Sequence, residues 1–69
     1  MYAIQVSGYG KKRRYVVCRV ENGIIFPQAV AGIFKMQDAA QNAALAAGIK
    51  VDVIGDAYAI WNAERRKEK

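Results

Sequence analysis

Residues 2–20 have the sequence YAIQVSGYGKKRRYVVCRV, and this stretch predicts a β-hairpin with a positively charged tip. Apolar side chains alternate with others over Tyr2–Ser7, which is the period of a strand with one buried face. Gly8–Gly10 breaks the alternation, and Tyr15–Val20 is rich in the β-branched and aromatic residues that favour a second strand. The four cations of Lys11–Arg14, called the basic tip below, therefore lie where the chain turns between the two strands.

A second turn and a third strand follow this hairpin. Asn22-Gly23 predicts a type I′ turn, because both residues tolerate the positive φ that this turn requires. The turn would fold Ile24–Phe26 back on the second strand, and Pro27 interrupts or ends the third strand because it cannot donate to the ladder. Residues 30–34 either resume that strand after a bulge or form a separate short strand, and the sequence leaves both open.

The clearest helix is predicted over Met36–Ala47, which contains six alanines and one leucine, all good helix formers. Asp38 lies in its first turn, where the helix dipole favours a negative charge. Gly48 occupies the position just beyond the helix where glycine is preferred. An alanine-rich face lets such a helix lie close to a sheet.

Residues 50–62 fit two structures. A hairpin with Gly55-Asp56 as a type II′ turn would place Val53 opposite Tyr58, with four apolar residues on one face. The alternative is a helix capped by Asp56 that runs to Lys67. The hairpin is the preferred prediction, since the apolar run from Ala57 to Trp61 lacks clean amphipathicity.

These elements predict an α+β fold: a small two-layer domain with the order β-β-β-α-β-β. An antiparallel sheet of four to five strands would carry one helix packed on one face. The single domain is predicted over residues 1–63, and the charged residues 64–69 form a C-terminal tail that is expected to fray.

The composition limits the classes of function. A chain of 69 residues has room for one thin core, for which dimerisation is a natural aid, and its one cysteine excludes an internal disulfide. No histidine is present, so the ordinary zinc sites are missing. No apolar run approaches the ~20 residues that span a bilayer. We therefore expect a soluble, cytoplasmic protein without a membrane segment, metal or cofactor.

A self-contained catalytic site is not expected, because catalysis needs several reactive groups held together. Ser7 has no obvious base, and no carboxylate pair stands out. Cys18 lies between Val17 and Arg19 in a strand, where it is predicted to be a small buried hydrophobe. The chain is predicted not to be an enzyme.

Charge is the strongest functional signal. Eleven basic and six acidic residues give a formal net charge of +5, which favours polyanions and acidic surfaces. A two-stranded ribbon with a basic end can follow a phosphate backbone, and tyrosines beside it can stack on bases. The candidate nucleic-acid-binding residues are therefore Tyr9, Lys11, Lys12, Arg13, Arg14, Arg19, Arg65 and Arg66.

The predicted arrangement has three strands and a helix, with the basic tip between the first two strands. It resembles the sheet-plus-helix DNA-binding modules at the N-termini of phage integrases and in plant AP2 domains. Residues 32–40, GIFKMQDAA, are similar to their junction between strand and helix. The resemblance covers about residues 2–48 and implies that the sheet face enters the major groove. This sequence departs from the pattern at the start of the helix, which lacks a Thr or Ser cap. It departs also in the second strand, where Arg19 alone is a candidate base reader, and in the final hairpin that is predicted after the helix.

The leading hypothesis is a small, basic, non-enzymatic module that contacts nucleic-acid phosphates, with DNA favoured over RNA. The alternative is an accessory protein of the kind that phages and mobile elements encode, which would inhibit a host protein by docking on an acidic surface or pairing through a sheet edge. A homodimer built by edge-strand pairing is the third hypothesis.

Overall fold

A computed structural model describes residues 1–27 and 33–67 of the chain, of Pro27 and Lys67 the backbone alone. It confirms the α+β class, with a five-stranded mixed sheet and two helices. The elements in chain order are β1 (Tyr2–Ser7), β2 (Arg14–Glu21), β3 (Ile24–Pro27), β4 (Ile33–Phe34), α1 (Gln37–Ala46), β5 (Val51–Gly55) and α2 (Ala57–Lys67).

The predicted hairpin forms the middle of the sheet, which has the strand order β3-β2-β1-β5. β1 pairs with β2 in antiparallel register, with Tyr2 opposite Arg19 and Ser7 opposite Arg14. Asn22 and Gly23 have φ of 52° and 77°, which confirms the turn with two positive φ values that leads into β3. β5 runs parallel to β1, so the sheet is mixed and the prediction of a wholly antiparallel sheet was wrong.

β4 is a short strand of its own, which pairs with the first half of β2: Phe34 lies opposite Tyr15, and Ile33 opposite Val16. β3 pairs with the second half of β2. The predicted continuation of the third strand falls partly on residues 28–32, which lie outside the described residues. The predicted helix is confirmed as α1, and Gly48 beyond it has the expected positive φ, 74°.

The second hairpin predicted over residues 50–62 was wrong, and the alternative helix is confirmed. The carboxylate Oδ1 of Asp56 accepts a hydrogen bond from the Ala59 amide at 2.9 Å, which caps α2 at its start. Val51 and Val53 belong to β5, which pairs with β1, and they lie opposite Tyr2 and Ala3. Their alternation therefore indicates a strand that pairs with the first strand of the chain, not with the residues just downstream.

The sheet buries both of its faces, which corrects the predicted two layers to three. Consecutive β1 residues, Ala3 and Ile4, are both fully buried although they point to opposite sides of the sheet. Ala3 packs in a cluster with Ile60 of α2, whereas Ile4 packs in another with two alanines of α1. One helix therefore covers each face.

The predicted C-terminal tail begins inside α2, which continues to Lys67. Residues 68–69 lie outside the described part of the chain. Neither helix that the structure describes has the length and apolarity needed to cross a membrane.

Candidate functional site

The basic tip is a structured loop. A single turn of 3₁₀ helix covers Gly10–Lys12, and two backbone hydrogen bonds close it: the Lys12 amide donates to the Tyr9 carbonyl at 3.0 Å and the Arg13 amide to the Gly10 carbonyl at 3.2 Å. Gly8 permits this closure, because a Cβ at that position would lie 2.5 Å from the Lys12 carbonyl oxygen. The backbone that carries the cations is therefore ordered by the loop's own hydrogen bonds.

The charges of the basic tip are turned to solvent. Lys11, Lys12 and Arg13 are exposed, and among the described residues no carboxylate forms an ion pair with any of the four cations. Arg14 folds back: its Nη1 donates to the carbonyls of Lys11 at 3.0 Å and Arg13 at 2.8 Å. Three cations are thus displayed, while the fourth braces the loop that displays them.

The structure adds one cation that sequence reasoning missed. Phe34 ends β4 opposite Tyr15, so Lys35, the next residue, lies near the start of β2. Its side chain is exposed. Lys35 could not be placed from sequence because its position depends on β4 pairing with β2, and the sequence left that strand open.

A cleft of about 380 Å³ lies beside the basic tip, lined by Val6, Gly8, Tyr9, Arg13, Gly55 and Asp56. It forms because β1 and β5 are parallel neighbours, so their carboxyl ends open at the same edge of the sheet. Ligands of open sheets with parallel strands bind outside such carboxyl ends. Tyr9 is 89% exposed, so its ring is free of the core.

Arg19 is separate from the basic tip. It lies in the second half of β2, where its guanidinium sits 5.1 Å from the centre of the Phe26 ring. The Nη1 of Arg19 also lies 3.3 Å from the Oε1 of Glu21. Its charge is therefore engaged by neighbours on the sheet, unlike the charges of Lys11, Lys12 and Arg13.

Arg65 and Arg66 are exposed near the other end of the domain, in the last turns of α2. This end of the helix is fixed to the β2–β3 turn: Trp61 Nε1 donates to the Gly23 carbonyl at 2.9 Å, and the Gly23 amide donates to Glu64 Oε1 at 2.6 Å. Seven residue steps of β2 separate that turn from the tip, roughly 23 Å. The predicted site residues therefore fall into three groups.

Cys18 is confirmed as a buried residue. Its side chain has no exposed surface, and Sγ donates to the Ala3 carbonyl at 3.5 Å. Burial raises the pKa of this thiol above its ordinary value of 9.0, against a smaller lowering by the hydrogen bond from the Gln5 backbone. In the part of the chain that the structure describes, no group of three or more His, Cys, Asp or Glu side chains is placed to hold a metal ion.

No family model, curated protein or solved structure matches this chain. The resemblance to the sheet-plus-helix DNA-binding modules accordingly stays a prediction from the sequence. The structure differs from their outline in the second helix, α2, and in the parallel strand β5, which together occupy residues 51–67.

Proposed function

We propose that this chain is a non-enzymatic binding module whose basic tip contacts the phosphates of a nucleic acid. The observation that supports this most directly is the display of Lys11, Lys12 and Arg13 on a closed loop without carboxylate partners among the described residues. Adjacent like charges repel one another, and the described carboxylates do not neutralise this repulsion. A polyanionic ligand that binds the three cations would therefore lower their electrostatic free energy.

The loop of the basic tip is already ordered before it binds a ligand, which favours affinity. A flexible arm loses conformational entropy when it binds, whereas a loop that is closed by backbone hydrogen bonds and held by Arg14 loses less. Lys35 adds a further exposed cation at the same end of the sheet. Lys11, Lys12, Arg13 and Lys35 together place four exposed basic side chains at this end of the sheet.

Contacts of this kind give affinity with little reading of sequence, because phosphates are the same at every base pair. Arg19, the candidate base reader on the sheet, is engaged by Phe26 and Glu21. We therefore expect binding that depends strongly on salt and weakly on base sequence.

The test is a titration of fluorescently labelled duplex DNA at several salt concentrations, with wild type and a Lys11→Ala plus Arg13→Ala variant. Each phosphate contact contributes a slope of about −0.9 in log affinity against log salt, so losing two contacts should flatten the slope by about 1.8. Lys50→Ala is the matched control, since Lys50 is exposed and precedes β5 at the end away from the cleft. It should leave the slope within error of the wild type.

An unchanged slope in the double variant contradicts the proposal, as does a wild type without measurable affinity for nucleic acid. A pull-down from nuclease-treated lysate distinguishes this proposal from the rival hypothesis, in which the chain binds an acidic host protein. Stoichiometric capture of an acidic protein through the tip, with no DNA binding, would show that the ligand of the tip is a protein surface and not a nucleic acid.

A further inference from the structure

The outer face of α2 carries an aromatic pair that the packing of the domain explains only in part. Tyr58 is 74% exposed and Trp61 41% exposed, and their rings meet edge to face with centres 6.0 Å apart. Trp61 has a structural role through its hydrogen bond to Gly23. Tyr58 lies on the surface with most of its ring in solvent, where a large apolar side chain gains little from folding.

These rings lie between the two groups of exposed cations. Tyr58 is in the first turn of α2, two residues after Asp56, which is a wall of the cleft beside the basic tip. Arg65 follows Trp61 by one helical turn on the same side of the helix, and both line a hollow of about 200 Å³ with Gly23 and Glu64. The aromatic pair and Arg65 therefore follow one another along α2, whose start adjoins the cleft beside the basic tip.

We infer that α2 is a stacking platform for a single strand of nucleic acid, whose bases lie on Tyr58 and Trp61 while its phosphates meet the basic tip and Arg65. This inference rests on the proposed function and narrows its ligand. Proteins that bind single strands combine a basic track with exposed aromatic rings, because every base has a face that can stack and unpaired bases are free to do so. Bases stacked inside a duplex are not available to a ring lying on a helix surface.

The single tryptophan provides the measurement. Oligothymidine and a duplex of equal length are titrated into the wild type while Trp61 emission is followed, and affinities are measured separately by anisotropy of labelled strands. We expect the single strand to change Trp61 emission and to bind more tightly than the duplex. Tyr58→Ala should weaken single-strand binding roughly five- to 150-fold, the loss typical of one stacked base. Tyr58→Phe, which keeps the ring, should stay within about twofold of the wild type.

Leu45→Ala is the control for a lost apolar surface, because Leu45 on α1 is exposed to the same 74%. It should leave single-strand affinity unchanged. Equal losses of affinity in Tyr58→Ala for single strand and duplex overturn the inference, and so does an unchanged single-strand affinity. If the tip variant loses binding while Tyr58→Ala does not, the stacking platform is wrong and the phosphate-binding tip stands. If the wild type binds neither form, both are wrong.

Discussion

Replacing Gly8 by alanine should disrupt the basic tip more than any equivalent change at another glycine with positive φ. Gly8 has φ of 78°, and an added Cβ would lie 2.5 Å from the Lys12 carbonyl oxygen and 3.0 Å from its carbon. Those atoms belong to backbone, so the loop has to open. Gly10 and Gly23 also have positive φ, 55° and 77°, but a Cβ at either meets nothing within 4 Å.

The expected cost separates into two parts. A residue with a side chain in the left-handed region costs about 1–2 kcal/mol, and this part applies to all three glycines. Opening the loop at Gly8 also disturbs the hydrogen bonds from the Lys12 and Arg13 amides, each a net contribution of roughly 0.5–1.5 kcal/mol. We therefore expect about 1–2 kcal/mol for Gly23→Ala and about 2–5 kcal/mol for Gly8→Ala.

Urea unfolding followed by circular dichroism measures both variants against the wild type. In a domain of this size, 1 kcal/mol corresponds to a shift of about 4–8 °C in Tm, so thermal unfolding should separate them as well. Equal losses in Gly8→Ala and Gly23→Ala would show that the close approach to Lys12 does not hold the loop. The salt slope for DNA should also flatten in Gly8→Ala alone, since Gly23 is at the far end of the sheet.

Two further predictions concern the cap of α2 at Asp56 and the buried thiol of Cys18. Asp56→Ala should lower the free energy of unfolding by about 0.5–2 kcal/mol, because the Ala59 amide loses its capping carboxylate; Asp56→Asn, which keeps an acceptor oxygen, should restore most of it in the same urea titration, and equal losses would contradict the cap. The raised pKa of Cys18 predicts stability that is complete below the unfolded value of 9.0 and declines as pH rises through the folded pKa. Cys18→Ala should lack this alkaline decline, and thiol labelling of the native wild type at about pH 8 should be limited by unfolding.

The first half of the fold could be predicted because its signals are local. The turn at Asn22-Gly23 depends on two residues that tolerate positive φ, and the hairpin before it depends on alternation over adjacent stretches. α1 likewise depends on helix propensity and on Gly48 at its end. None of these needs knowledge of a distant part of the chain. The exposure of Lys11–Arg13 follows for the same reason, since a turn between two adjacent strands lies at an edge.

The last third could not be predicted in the same way, since its determinants lie far along the chain. The alternation of Val51 and Val53 is genuine, but its partner is β1, some fifty residues earlier. Parallel pairing of this kind needs a crossover, and α1 supplies it between β4 and β5. A period of two shows that a strand exists without showing which strand it pairs with, and local pattern alone favours the nearest apolar stretch as the partner.

That error matters for the candidate site, because the two structures of residues 50–62 place the aromatic rings differently. In a hairpin, Tyr58 would sit opposite Val53 on an apolar face and contribute to the core. In α2 the buried position is taken by Ile60, which has no exposed surface, and Tyr58 points away with 74% of its surface in solvent. The eleven residues of α2 extend about 16 Å from the cleft toward the β2–β3 turn. The surface that joins the basic tip to Arg65 therefore exists only because this segment is a helix, and its chemistry depends on the cap at Asp56 and the hydrogen bonds at Gly23 that hold the helix on the sheet.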